Sequence, residues 1–206
     1  MITLTDITGL AGLAFATAVL LAPLAGRAGA RAPLVMLGSL FVLMLLPLPP
    51  DSLPFAAYLR GTIGDLSLPT LLLLASTAAV RYGLLQPVLT PGASTMRTRI
   101  ALLLPMAAAC LLYPLALGAT AYDSYAWGYG EPWFVAALLC AAILAALARL
   151  PLVAPAIALA VLGWSVGWLE SGNLWDYLLD PMLCIYASGR LLALTMRAWR
   201  KPAQQT

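Results

Sequence analysis

Apolar stretches follow one another along almost the whole chain, at residues 7–24, 33–48, 67–85, 100–119, 133–148, 152–168 and 180–199. A helix needs roughly 20 consecutive apolar residues to cross a bilayer. The chain therefore reads as an all-α, polytopic membrane bundle of about seven spans, forming one domain over residues 1–206. A transmembrane β-barrel would alternate apolar and polar residues. Runs such as Leu71-Leu72-Leu73-Leu74 and Ala107-Ala108-Ala109 show no alternation. A water-soluble globule is excluded by composition: 9% of the residues are charged, against roughly 25% in a soluble domain. Too few charges remain to cover a surface facing water.

Punctuation between the stretches agrees with this division. Pro33, Pro69 and Pro181 each stand at the start of an apolar run, where a missing N–H costs a helix nothing. Ser67, Asn173 and Asp180 are candidate N-caps. Pro105 and Pro114 fall inside the fourth run, which neighbouring helices tolerate in a membrane. The second run is the weakest, short and ended by Pro47, Pro49 and Pro50. After it, the mildly apolar residues Leu53 to Leu59 are expected to lie in the interface or to dip in as a re-entrant turn.

Charge fixes an orientation. Arg27, Arg31, Arg97, Arg99 and Arg149 lie in alternate connections, Arg81 lies in the inner half of the third run, and Arg190, Arg197, Arg200 and Lys201 lie at the C-terminal end. The eight acids, Asp6, Asp51, Asp65, Asp123, Glu131, Glu170, Asp176 and Asp180, occupy the other set of connections. Basic loops stay in the cytoplasm, so the N-terminus is expected outside, the C-terminus inside, and the location an inner (plasma) membrane. Met1 to Asp6 hold an acid and no base, unlike the basic start of a cleavable signal.

What is missing narrows the chemistry. The chain has no histidine, the residue of most haem and membrane metal sites and of Ser-His-Asp triads. Its single lysine, Lys201, lies in the tail, away from any buried Schiff-base position. Cys110, Cys140 and Cys184 are widely spaced and odd in number, which fits packing residues and not a disulfide framework. No cofactor or metal is expected, and nothing favours nucleic acid as a partner.

The acid-rich connections hold the candidate contact residues: Arg60, Asp65, Trp127, Glu131, Glu170, Trp175 and Asp176. Acids beside aromatic rings suit a cationic ligand, a sugar or the basic loop of a partner. Arg60 is the one base among the acids and should pair with Asp65 or Asp176. Asn173 and Asp180 are assigned to helix capping, with a short interfacial helix over residues 174–179, which leaves Glu170 free for a contact. Arg190 and Tyr186 are polar residues within the last span, where Arg190 can snorkel toward the inner surface. Gly12/Ala16 and Ala142/Ala146 match the small-xxx-small pattern of close helix contact.

The expected role is non-catalytic: an accessory or complex subunit whose outward acidic and aromatic surface meets a membrane-protein partner or an envelope glycan or lipid. The alternative is a small-solute transporter. Ala30-Arg31-Ala32-Pro33-Leu34-Val35 and Ala148-Arg149-Leu150-Pro151-Leu152-Val153 would then precede the second helix in each of two parallel three-helix repeats, one on either side of the fourth run. An outer-leaflet transferase using Asp65, Arg60 or Asp176 stands third.

Overall fold

A computed structural model describes residues 3–25, 32–49, 52–86, 95–119, 121–150 and 152–200. The basic turn at Arg27 and Arg31, the acid Asp51, the loop at residues 87–94, Pro151 and the tail from Lys201 lie outside the described residues.

The chain is mostly helical. Each apolar run contains one long helix: α1 (Leu4–Leu21), α2 (Ala32–Leu45), α4 (Leu68–Arg81), α5 (Thr95–Ala116), α6 (Pro132–Leu147), α7 (Val153–Ser165) and α9 (Pro181–Arg200), while α3 (Phe55–Ile63) and α8 (Leu174–Leu178) lie in connections. Among the described residues, two helices are long and apolar enough to cross a membrane, Leu4–Leu24 and Met96–Ala116. Helices α2, α4, α6 and α7 are apolar but have 14, 14, 16 and 13 residues. At ~1.5 Å per residue they reach roughly 20–24 Å, short of a hydrocarbon core of about 30 Å. The 20-residue α9 carries Arg190 and Arg197 within it. Helix length alone therefore does not carry the seven-span expectation.

Helix boundaries depart from the apolar runs where backbone geometry overrides hydrophobicity. The second run was expected to reach residue 48, but α2 stops at Leu45, and Pro47-Leu48 pairs with Leu53-Pro54 as a two-residue antiparallel ladder. Ser52, in the turn, adopts φ 56. Within residues 53–59 a short helix begins: α3 occupies Phe55–Ile63 and buries Ala56 against α1 and α2. Helix α4 ends at Arg81 because Gly83 turns left-handed at φ 72, leaving Leu84 and Leu85 exposed.

Two apolar clusters form the core. One joins Leu13, Ala14 and Ala16 of α1 to Met44, Ala56 and Leu66. The other gathers α8 with Leu112, Phe134, Ala160 and Leu183. Helix α4 lies between them. Leu71 and Leu74, three residues apart and so on one face, pack on the first cluster, while Leu68 and Leu73 pack on the second. This double duty explains the four-leucine run. Gly12 lets α1 approach α4, since a Cβ there would already touch Leu71 Cδ1 at 3.4 Å. Cys110 and Cys140 are exposed, so they are not the packing residues expected; Cys184 alone is part-buried.

Candidate functional site

The starts of α1, α4 and α9 and the connections around α3, α8 and residues 121–131 meet at one end of the bundle. Because the acids gather there, it is called the acidic end below. The basic end is opposite, where the Tyr82 hydroxyl donates to Pro33 O at 3.0 Å.

Arg60 sits in the last turn of α3, where a cation suits the helix dipole. Gly64 closes that helix at φ 77, its N–H donating to Arg60 O at 2.9 Å, and so turns the next residue back toward the guanidinium. Asp65 then accepts from Arg60 Nε at 2.6 Å and from Nη2 at 2.9 Å. Asp6 is supplied by α1. Its Oδ2 completes a capping box with Thr3, which leaves Oδ1 to accept from Arg60 Nη1 at 3.0 Å. Glu170, before α8, accepts from Nη2 at 3.2 Å. One guanidinium thus holds three carboxylates. Its hydrogen bond to Asp65 keeps Arg60 charged well beyond its ordinary range, against the opposing effect of burial. Gly9 closes over the group: a Cβ there would overlap Asp65 Oδ1 and lie 2.9 Å from Arg60 Nε.

Beside this cluster stands a second polar network. Asn173 caps α8 by accepting from Trp175 N at 2.9 Å, and its amide donates to Tyr125 O at 2.8 Å. It fits because Gly128 lacks a side chain; a Cβ would lie 2.6 Å from Asn173 Cγ. Asp176 accepts from the Tyr125 hydroxyl at 2.8 Å and from Ser171 Oγ. Burial first, and then the Asp176 hydrogen bond, push the Tyr125 phenol above its ordinary range. Asp180, 5% exposed, accepts from Leu183 N at 2.7 Å as the cap of α9 and from Ser67 N at 2.7 Å. Ser67 in turn caps α4 by accepting from Thr70 N.

Several sequence expectations change here. Arg60 does pair with Asp65, but Asp176 is not its partner, because Tyr125 and Ser171 take that carboxylate. Glu170 is not left over from structural work, since it pairs with Arg60, although its side chain stays 76% exposed. The short helix after Asn173 exists as Leu174–Leu178, and it packs into the bundle with Leu174, Trp175 and Tyr177 buried. Trp175 packs on Phe134 with ring centroids 4.7 Å apart and donates through Nε1 to Ser124 O at 3.0 Å, so it is a core residue. Trp127 is half-buried, edge-on to Trp133 at 4.9 Å and to Tyr122 at 5.7 Å. Glu131 precedes α6, makes no side-chain cap and is exposed. Tyr186 lines an apolar cleft, described below, and Arg190 is half-buried one turn further along α9.

Residues that the sequence did not single out are Gly9, Gly128, Ser171 and Asp6 as a partner of Arg60. Only Asp6 left a local trace, in the Thr3-x-x-Asp6 capping spacing.

The observed class is an α-helical protein that has, among the described residues, two membrane-length apolar helices and a polar, hydrogen-bonded cap at one end. No protein-family model, curated protein or solved structure matches the chain significantly.

Proposed function

We propose that the chain is a multi-pass inner-membrane protein of seven spans, with its acidic end outside, that serves as a non-catalytic accessory subunit. Its outward surface would receive a basic segment of a membrane partner. Beyond the two membrane-length helices, the multi-pass reading is supported by apolar side chains that face outward on α2, α6, α7 and α9. Val35 is 65% exposed, Leu144 64%, Leu162 61% and Ile185 66%. Apolar surface spread over this many helices is costly in water and costs nothing against lipid tails. The short helices are accommodated if their flanking turns and the local bilayer make up the missing length.

The observation that carries the accessory role is the connection over residues 121–133. Tyr122 is 60% exposed, Tyr129 66% and Trp133 49%. Asp123 and Glu131 are exposed beside them. The rings are fixed edge-to-face: Tyr122 on Trp127, Trp127 on Trp133, and Tyr125 on Tyr129. Rigid aromatics flanked by carboxylates bind cationic side chains with little loss of freedom.

The enzyme reading is weaker. Arg60 and acids do converge, but the guanidinium's Nε, Nη1 and Nη2 are all taken by carboxylates, and Gly9 fills the approach. The transporter reading needs a polar path, and the large cleft is lined almost wholly by apolar residues.

A photo-crosslinking residue at Tyr129, in native membranes, tests the proposal. It should capture one defined protein, and Asp123→Lys with Glu131→Lys should abolish capture without lowering Tm. Equal capture from position 144, which would face lipid, refutes it.

A further inference from the structure

We infer that the cleft between α5 and α9 on one side and α6 and α7 on the other, with α4 also lining it, is the seat of one anionic phospholipid, held from the basic end. This rests on the membrane-spanning reading and goes beyond the accessory role. The cleft measures about 520 Å³, within the range of roughly 300–1,000 Å³ typical of ligand sites. Along α5 its wall runs from Thr98 to Ala108, and along α6 from Leu138 to Ala148. Ten residues of helix span roughly 15 Å, half of a hydrocarbon core of about 30 Å, which is the depth of one leaflet. Trp175, Leu178 and Leu179 of the α8 segment line it as well, at the end toward the acidic pole. An acyl chain entering from the basic end would meet apolar wall for its whole length and stop against α8.

The mouth is marked by charge. Thr98 lines the cleft between Arg97 and Arg99, and Ala148 and Leu150 line it on either side of Arg149. Arg97 and Arg149 are exposed. Arg149 is held in the α6–α7 turn at φ 53, a left-handed backbone unusual for arginine. Arg99 Nε is buried and has no hydrogen-bond partner among the described residues. Orphaned guanidinium nitrogens in buried surroundings are costly. A phosphate oxygen is the acceptor that matches a guanidinium in both charge and geometry. No carboxylate stands near these residues in sequence, since every acid belongs to other connections. A phospholipid of the cytoplasmic leaflet brings the phosphate and the chain together, which neither a free phosphate nor a second copy of this helical surface would do.

Native mass spectrometry of the delipidated full chain in detergent provides the test. It is titrated with phosphatidylglycerol and with phosphatidylcholine of identical acyl chains. One phosphatidylglycerol should bind in preference. Each arginine near a membrane surface contributes roughly fivefold in affinity for an anionic lipid. Arg99→Gln with Arg149→Gln should therefore reduce the preference by an order of magnitude or more, whereas Arg81→Gln, about two helical turns beyond Leu73 where α4 last lines the cleft, should leave it intact. Ala148→Trp, which narrows the mouth, should weaken both lipids. If that variant fails to fold, the arginine variants still decide. Equal binding of the two lipids, or a dimer that forms in place of lipid binding, overturns the inference. Carbonate extraction of the native membrane tests the spanning reading separately: a chain released by carbonate would refute that reading, whatever its lipid preference.

Discussion

Replacing Gly9 by alanine should destabilise the protein, although the same change in the middle of most helices does the opposite. Gly9 lies inside α1, where glycine is roughly 1 kcal/mol less favourable than alanine. Helix propensity alone therefore predicts a gain. The added methyl, however, would overlap Asp65 Oδ1 and lie 2.9 Å from Arg60 Nε and 3.0 Å from Arg60 Cζ. Those atoms belong to the bidentate pair at 2.6 and 2.9 Å, so they cannot yield without lengthening charge-assisted bonds. Overpacking costs about 1–3 kcal/mol, and loosening the pair adds to it. The net expectation is a loss of about 2 kcal/mol after the propensity gain is subtracted. Gly38, in α2, is the control: no heavy atom lies within 4 Å of the place its added methyl would take, so Gly38→Ala should be neutral or stabilising. Thermal unfolding in mild detergent can be followed by tryptophan fluorescence. For a chain of this size 1 kcal/mol shifts Tm by roughly 2–4 °C. Gly9→Ala should fall by about 4–8 °C while Gly38→Ala holds or rises. In an Asp65→Ala background most of the Gly9 penalty should vanish. A Gly9→Ala protein as stable as wild type would refute the claim that α1 closes tightly on the Arg60 cluster.

Four further outcomes follow from the same geometry. Arg60→Gln should cost about 2 kcal/mol, below the 3–5 of a fully buried pair, because water reaches Glu170 and Asp6, 76% and 38% exposed; Arg60→Lys should rescue only part of it, having no fork to grip Asp65. Asn173→Ala removes the α8 cap and the bond to Tyr125 O, and should lower stability by about 2 kcal/mol in the same unfolding assay. Asp180→Asn should be more harmful than Ser67→Ala, since both Asp180 oxygens accept from backbone N–H groups and an amide would set a donor against one of them. Tyr125 has its phenol pKa raised, so the unfolded chain loses that proton first; stability is intact below about pH 10 and should decline above it, less steeply in Tyr125→Phe when unfolding is repeated across the alkaline range.

What the sequence made legible is mostly local. The caps at Ser67, Asn173 and Asp180 join a side chain to a backbone N–H two or three residues on, so residue type and spacing suffice. Arg60 and Asp65 are five residues apart, and a lone base among acids has few other choices. Asp6 and Glu170 lie 54 and 110 residues from Arg60, and no local pattern brings them there. Gly9 and Gly128 have their meaning only in what crosses above them. The segment at Leu174–Leu178 was legible as a capped short helix, but the burial of Trp175 was not: leucines and a tryptophan in so short a helix suit a surface and a core equally, and the ring packs on Phe134. Helix ends were overrun at Leu46, Leu84 and Leu85 because apolar composition continues past the turn that stops the helix. The cleft could not be read at all, since it is the space that α4, α5, α6, α7 and α9 leave between them.

The two apolar clusters share no buried residue, and α4 alone would make a weak link between them. The segment Asp65-Leu66-Ser67-Leu68 supplies the rest. Asp65 is gripped by Arg60 from α3, and Leu66 is buried in the cluster of α1 and α2. Two residues on, the Ser67 N–H is taken by Asp180 from the start of α9, and Leu68 packs on the other cluster, reaching Gly163 of α7. Within four residues the chain passes from one cluster to the other, with an ionised group holding each side. The polar cap therefore does more than satisfy helix ends. Burying Asp180 without a cation is tolerable because two backbone N–H groups stabilise its charge, and both helix starts it serves, α4 and α9, are fixed in register by one side chain. Arg60 does the same for α1, α3 and the connection to α8. The exposed aromatics of residues 121–133 are joined to α8 through Asn173 and Asp176, and the connection before α8 reaches Arg60 through Glu170, so the surface proposed to meet a partner is tied to the Arg60 cluster by way of that connection.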